Sequence, residues 1–338
     1  MASRRSGCGI PGLFVLILLV VGGWSGYWFY LSGQIRQGIE QTETRLEAAG
    51  WRIEHAEPRI NGWPFRVQVT LDDVSIIAPS GHGLRAPSLN TEATAYQLDR
   101  WVIVAPEGIE LARASKGWVA VQGEALRASV SGLTGTPPRL VIEFTQPRFE
   151  PTQGSQPFPI THAERLIINL IPEAAEGQAG LLFDLDNATP RPGGVLASMS
   201  EDRPFNLSAE GVASQSARLS GATWSEALSS WSQEGGALTQ VRLEATAEQD
   251  FARGQSDRLS ADQNGRLIGD LQLHLRGGTA PIAGLAQAPG VDPRAATAVA
   301  VGAQLTSGFR GETNVLVRFS NGRTNIGPVG LGPAPKVF

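Results

Sequence analysis

Ile10 to Leu31 (IPGLFVLILLVVGGWSGYWFYL) forms a run of 22 residues without a charge. As a helix it rises about 33 Å, enough to cross a hydrocarbon core of about 30 Å. No other feature constrains the chain so strongly. A segment like this belongs in a bilayer, and the remaining residues must fold beside it. The run predicts an anchor in which Ile10, Leu13, Phe14, Leu16 and Leu19 face acyl chains. Trp24, Trp28 and Tyr30 crowd its far end, where amphipathic rings favour the boundary between lipid and water. Arg4 and Arg5 precede it. With the α-amino group they favour keeping residues 1–9 in the cytoplasm, and a long C-terminal domain translocates largely regardless of its own charges. A cleaved signal peptide fits less well: the run exceeds a usual apolar h-region and ends in bulky aromatics rather than a small-x-small site. Cys8 stands before the run, so it is not the lipidated cysteine that follows a lipoprotein signal.

Residues 32–50 predict a second, amphipathic helical stretch. In QIRQGIEQTETRLEAAG, Ile35, Ile39, Thr42 and Leu46 share one face. Fewer than three heptads are present, too few for a coiled coil, so the stretch reads as a helix that caps the following sheet.

From Trp51 onward the dominant period is two. In FRVQVTLD, Phe65, Val67, Val69 and Leu71 alternate with Arg66, Gln68, Thr70 and Asp72, so Phe65 is expected to open the inward face. Leu126 to Val130, Leu140 to Phe144, Phe205 to Ala209, Val241 to Glu248 and Leu271 to Leu275 alternate likewise, and Val315 to Phe319 leads into Asn321-Gly322, a hairpin signal. Strands with one polar face are antiparallel and half solvated. The predicted fold is therefore mainly β, a curved antiparallel sheet or sheets over residues 51–338 with a few helices, behind one transmembrane helix. The helices are expected at 222–231, 281–285 and 293–307. Thr189 to Gly194 (TPRPGG) offers a meeting point near 189–200 for two subdomains. At Asp72-Asp73 the apolar parity slips, which suggests a β-bulge.

With 338 residues, 41% of them hydrophobic, the chain can bury a sizeable core. Net charge is −4 with no block of like charge, and 26 of the 28 basic residues are arginine. A nucleic-acid partner is disfavoured, because phosphate contacts need clustered basic surface. The single cysteine excludes a disulfide framework or a Cys-based zinc site within the chain. His55, His82, His162 and His274 stand alone, without metal-ligand spacing, and no nucleophile elbow or phosphate loop occurs. No catalytic residue, metal or cofactor is predicted.

Two end motifs carry a family resemblance. Gly62, Trp63, Pro64, Phe65 and Arg66 resemble the Gly-aromatic-Pro-Phe-Arg strand start of an uncharacterised family of bacterial membrane-anchored proteins, domain of unknown function 2125. Gly327, Pro328, Leu331, Gly332, Pro333 and Pro335 resemble its closing pattern, and Arg258 to Leu275 resembles its internal strand–turn–strand unit. The resemblance implies an inner-membrane protein with a periplasmic β-rich domain. It also implies, more loosely, a likeness to AsmA-like proteins, whose curved sheets offer an apolar trough to phospholipid. The functional expectation is lipid binding or transfer, or envelope assembly, through an apolar β groove. The partners would be the inner-membrane bilayer and phospholipid acyl chains. A non-catalytic scaffold for envelope proteins is the alternative.

Overall fold

Each alternating run is a strand, and from Arg165 onward each strand pairs with the next along the chain. The structure is a computed structural model that describes residues 9–135, 137–173, 177–219, 224–276, 291–306 and 312–338. The sheet begins with β1 (Arg52–Glu54), β2 (Arg59–Asn61), β3 (Arg66–Ile77), β4 (Gly83–Thr94), β5 (Gln97–Val104), β6 (Ile109–Arg113) and β7 (Gly117–Gln122). It continues through β8 (Ala125–Ser131), β9 (Arg139–Thr145), β10 (Arg148–Pro151), β11 (Ile160–His162), β12 (Arg165–Pro172) and β13 (Gln178–Pro190). The last members are β14 (Phe205–Ser214), β15 (Leu238–Ala247), β16 (Asp250–Ala261), β17 (Leu267–Arg276), β18 (Glu312–Ser320), β19 (Arg323–Ile326) and β20 (Val329–Pro333). All pairings are antiparallel within one sheet of 20 strands.

Several short strands are halves of longer, bent ones. β7 and β8 lie in one register on β10 and β9 (Gln122↔Arg148, Ala125↔Thr145), and β9 and β10 do so on β12 and β11 (Thr145↔Arg165, Arg148↔His162). At one bend Gly123 lies so close to β9 that a Cβ would stand 2.6 Å from the Thr145 carbonyl oxygen. The bends fold the sheet over itself. Val119, Val121 and Phe149 of one arm meet Leu126, Leu166 and Leu185 of the other in the first core. Because neighbours in space are neighbours in sequence, short connections suffice. The ladder also runs across residues 189–200, since β13 pairs with β14 from Gln178↔Ser214 to Ala188↔Phe205.

Helices cover further apolar stretches of the sheet. α1 (Gly9–Ala48) is one continuous helix of 40 residues, so the anchor and the amphipathic stretch are a single rod. Trp28, Leu31, Ile35 and Ile39 pack on Val67, Val69 and Ala95. Of the expected stripe, Thr42 is exposed and Glu43 turns inward instead. α2 (Val195–Ser200) follows β13. α3 (Trp224–Gln233) buries Leu228 and Trp231 beside Ala213, and the Trp231 Nε1 donates to the Ser214 carbonyl at 2.6 Å. α4 (Pro293–Thr306) seats Ala296 and Val299 on Val315, Val317 and Leu331 in the second core. The helix expected at 281–285 lies outside the described residues.

The parity slip at Asp72-Asp73 is not a bulge. Asp72 faces Ser88 and Val74 faces Ala86 in the register that holds along the whole β3–β4 hairpin, and no residue is inserted. Instead the hairpin is covered on opposite faces at its two ends. Val67 and Val69 point to α1, whereas Val74 and Ala86 point into the first core. Asp73, at φ +52°, and the ion pair of Asp72 with Arg59 at 2.7 Å mark the change.

Candidate functional site

The Gly62–Arg66 motif is the turn that receives the anchor helix. Gly62 has φ +104°, and a Cβ there would stand 2.8 Å from the Arg66 carbonyl oxygen, so the tight turn needs glycine. The Trp63–Pro64 peptide is cis. The Arg66 amide donates to the Gly62 carbonyl at 3.0 Å, closing the turn. Three indoles join turn and helix. The Trp24 Nε1 donates to the Pro64 carbonyl at 2.7 Å and the Trp28 Nε1 to the Arg66 carbonyl at 2.8 Å, while the Trp63 Nε1 donates to the Ser25 Oγ at 3.2 Å. The neighbouring β4–β5 turn joins the same patch through Ala95, whose amide donates to the Phe65 carbonyl at 2.9 Å.

This arrangement corrects two expectations. Phe65 does not open the inward face: it is 66% exposed, and the inward positions are Val67 and Val69. Residues 63–65 belong to the turn, so the alternation of the strand does not extend back to Phe65. Trp24 and Trp28 are not simply rings at a lipid boundary. Trp24 is half-buried and Trp28 only 5% exposed, both against the sheet domain. Their face of α1 was chosen by the turn, which the helix sequence alone does not reveal. Leu13, Phe14, Leu16, Leu19 and Tyr30 are exposed as an anchor requires, and Ile10 lies in the first turn of α1.

Farther up, α1 is clasped to the start of the sheet. The His55 Nε2 lies 2.6 Å from Glu43 Oε1 and its Nδ1 lies 2.6 Å from the Ala56 carbonyl oxygen. Burial pulls the imidazole pKa down, but the Ala56 and Glu43 bonds outweigh it and leave the pKa above the usual 6.5. Arg36 pairs with Glu57 at 2.7 Å on the exposed side.

The closing motif is structural. Gly327 (φ +54°) and Pro328 make the β19–β20 turn, and Leu331 is buried in the second core. Gly332 sits where the register slips between Thr324 and Asn325. Pro333 accepts from the Thr324 hydroxyl at 3.2 Å, and the Pro335 carbonyl from the Leu267 amide at 3.0 Å.

One part of the inner face has no side chain filling it. Between α2 and strands β14 to β17 lies an apolar crevice of about 150 Å³, walled by Leu196, Met199, Phe205, Leu207, Ala245 and Phe251. Ser200 also lines it. Its hydroxyl is buried and has no hydrogen-bond partner among the described residues. A buried hydroxyl normally finds a partner, so an orphan here is informative. At its rim Arg276 pairs with Glu312 at 2.5 Å and lies over the Phe251 ring at 4.9 Å, and Asp250 is paired with Arg203 at 2.5 Å. The alternation at 205–209 and 241–248 placed Leu207 and Ala245 inward. It carried no sign that the α2 segment stops short of covering them.

The outer face is a ladder of ion pairs. Arg127 and Arg165 flank Glu143; the Arg127 bond leads in holding that carboxyl below its usual range. Arg318 grips Asp270 through two bonds of 2.9 and 3.0 Å, which likewise lowers the Asp270 pKa. Among the described residues no group of three or more His, Cys, Asp or Glu is placed to hold a metal ion.

Fold and junction together define a β-meander protein with one helix long and apolar enough to cross a membrane, docked onto its own sheet by tryptophans. The chain belongs to the family described as uncharacterised proteins conserved in bacteria, DUF2125, whose profile matches residues 28–335. The match begins at Trp28, on the docked part of the helix rather than on the exposed apolar part that precedes it. No curated protein and no solved structure matches the chain.

Proposed function

We propose that this is an inner-membrane protein of the bacterial envelope, with a cytoplasmic N-terminus and a periplasmic sheet domain, that binds an acyl-class lipid in the crevice under α2. The observation that carries the reading is the unfilled crevice under α2, walled mainly by Leu196, Met199, Phe205, Leu207 and Ala245. An acyl chain segment would fill it. A crevice of about 150 Å³ takes part of one chain, so the reading is binding of a single acyl segment rather than a lipid conduit. The membrane end of the inner face is occupied by Trp28, Leu31, Ile35 and Ile39.

A photoactivatable fatty acid fed to cells that make the full chain tests the proposal. Adducts are expected at Met199, Phe205 and Phe251, and Ala245→Phe should abolish them while the melting temperature stays near wild type. Adducts confined to α1, the annular pattern of any anchored protein, would overturn it. A scaffold role is the second reading. It is favoured by the extent to which α1, α3, α4 and the bent strands already cover the apolar face. That reading expects one dominant envelope protein in crosslinked cells and no adduct in the crevice.

A further inference from the structure

We infer that the domain has a second membrane contact besides its anchor: the turns at one end of the sheet lie in the interfacial layer of the bilayer and hold Trp63, Phe65, Tyr96 and Leu133 there. The inference rests on reading α1 as a membrane-spanning helix.

The chain path identifies which turns stand near the membrane. β3 starts at the helix and runs away from it, β4 returns, β5 and β6 leave, and β7 and β8 return. The turns at 62–65, 95–96 and 132–135 are therefore all at the anchor end, while those at 78–82, 114–116 and 152–159 are at the far end. The third turn is tied to its neighbour by Asp99, which accepts the Leu133 amide at 2.8 Å. Each of these three early turns exposes a large apolar side chain: Trp63 51%, Phe65 66%, Tyr96 71% and Leu133 48%. Among the described residues none of the far-end turns does. The other exposed large apolar residues outside α1 are Ile168, Ile268 and Leu316 on strands and Val337 near the C-terminus. Turn tips are ordinarily polar, so an apolar tip on every early turn of one end is a pattern with a direction.

Depth points to the same surface. The chargeless run extends to Leu31, yet the domain already contacts the helix at Trp24. The eight residues from Trp24 to Leu31 span about 10 Å of helix axis. Over that length one side of α1 carries the domain and the other leaves Phe29 and Tyr30 exposed, at 67% and 66%. The turns bonded to Trp24, Ser25 and Trp28 must then share the depth of the end of the apolar run. Amphipathic rings are most stable at that level, with the apolar body among acyl carbons and the polar tip in the headgroup layer. With the helix, the turns would fix the tilt and height of the sheet above the bilayer.

Single cysteines carrying an environment-sensitive fluorophore, each in the full chain with Cys8→Ser and reconstituted into vesicles of phosphatidylethanolamine and phosphatidylglycerol, test the inference. Phe65→Cys, Tyr96→Cys and Leu133→Cys report the turns, Leu16→Cys the middle of the anchor and Lys116→Cys a far-end turn. The turn probes should emit to the blue of the Lys116 probe and lose most emission to lipids spin-labelled near the glycerol. The Leu16 probe should respond most to lipids labelled near the chain terminus. Turn probes as unquenched as Lys116, with Leu16 quenched, would overturn the second contact and leave the anchor standing. An unquenched Leu16 probe would overturn both.

Discussion

Two helices lid apolar faces of the sheet, one at each end, and they are held differently. α4 meets the second core through small and branched side chains: Ala296, 1% exposed, and Val299 rest on Val315, Val317 and Leu331. The Asp292 Oδ1 caps its start by accepting the Arg294 amide at 2.9 Å, and the Asp292 amide ties it to the Leu331 carbonyl at 2.7 Å. α1 meets β3 and β4 through tryptophans whose N–H groups donate to turn carbonyls, and through the His55–Glu43 clasp. Close packing holds a lid in place but says little about its angle. Directional bonds at two separate heights fix the angle of a rod as well. That suits the proposed role of α1, which is to set the height of the domain over a bilayer.

Substitutions can break this comparison, beginning with the core beneath the anchor. Val67, with no exposure, lies between α1 and the sheet. Val67→Asp buries an unpaired charge and should cost more than about 4 kcal/mol, enough to abolish cooperative unfolding. Phe65→Asp, two residues earlier and facing outward, should stay within about 0.5 kcal/mol of wild type by thermal denaturation of the detergent-solubilised chain. Equal losses would mean that Phe65 is inward after all.

The two lids should differ in the kind of change they resist. Ala296→Leu forces extra volume into a packed contact and should cost about 1–3 kcal/mol. Trp28→Phe keeps an aromatic ring but leaves the Arg66 carbonyl without its donor, for about 1–2 kcal/mol. Hydrogen exchange should then open β2 and β3 in the Trp28 variant and β18 to β20 in the Ala296 variant. Exchange spread evenly over the sheet in either would contradict separate lids.

The smallest effect is titratable. Because the folded-state pKa of His55 is raised, its contribution is fully present below the unfolded value of 6.5 and is lost as pH rises through the folded value. Melting temperature should therefore fall slightly across that window, and His55→Gln should flatten the fall. An unchanged slope in the variant would show that the clasp does not couple protonation to stability.

Much of this was legible in the residues. Period-two runs such as Val67 to Leu71, Leu126 to Val130 and Leu271 to Leu275 are strands, because alternate side chains in an extended chain must face opposite sides. Asn321 and Gly322, both at positive φ, make the hairpin turn their identity foretold. Phe65 misled because a turn can adjoin a strand without altering the rhythm of apolar and polar residues. Ser200 gave no signal, since an orphan hydroxyl is defined only by what surrounds it.

The chain by itself determined an apolar helix long enough to span a bilayer, a sheet of antiparallel strands and the sites of its tight turns. Each follows from local sterics, periodicity or transfer of side chains from water. The tertiary structure decided which face of each hairpin is covered, that Trp24 and Trp28 serve the domain, and where the inner face is left open. Those depend on which surfaces distant segments bring together. β3 shows why: its register never changes, yet Val67 and Val74 are buried on opposite faces because different partners arrive at its two ends.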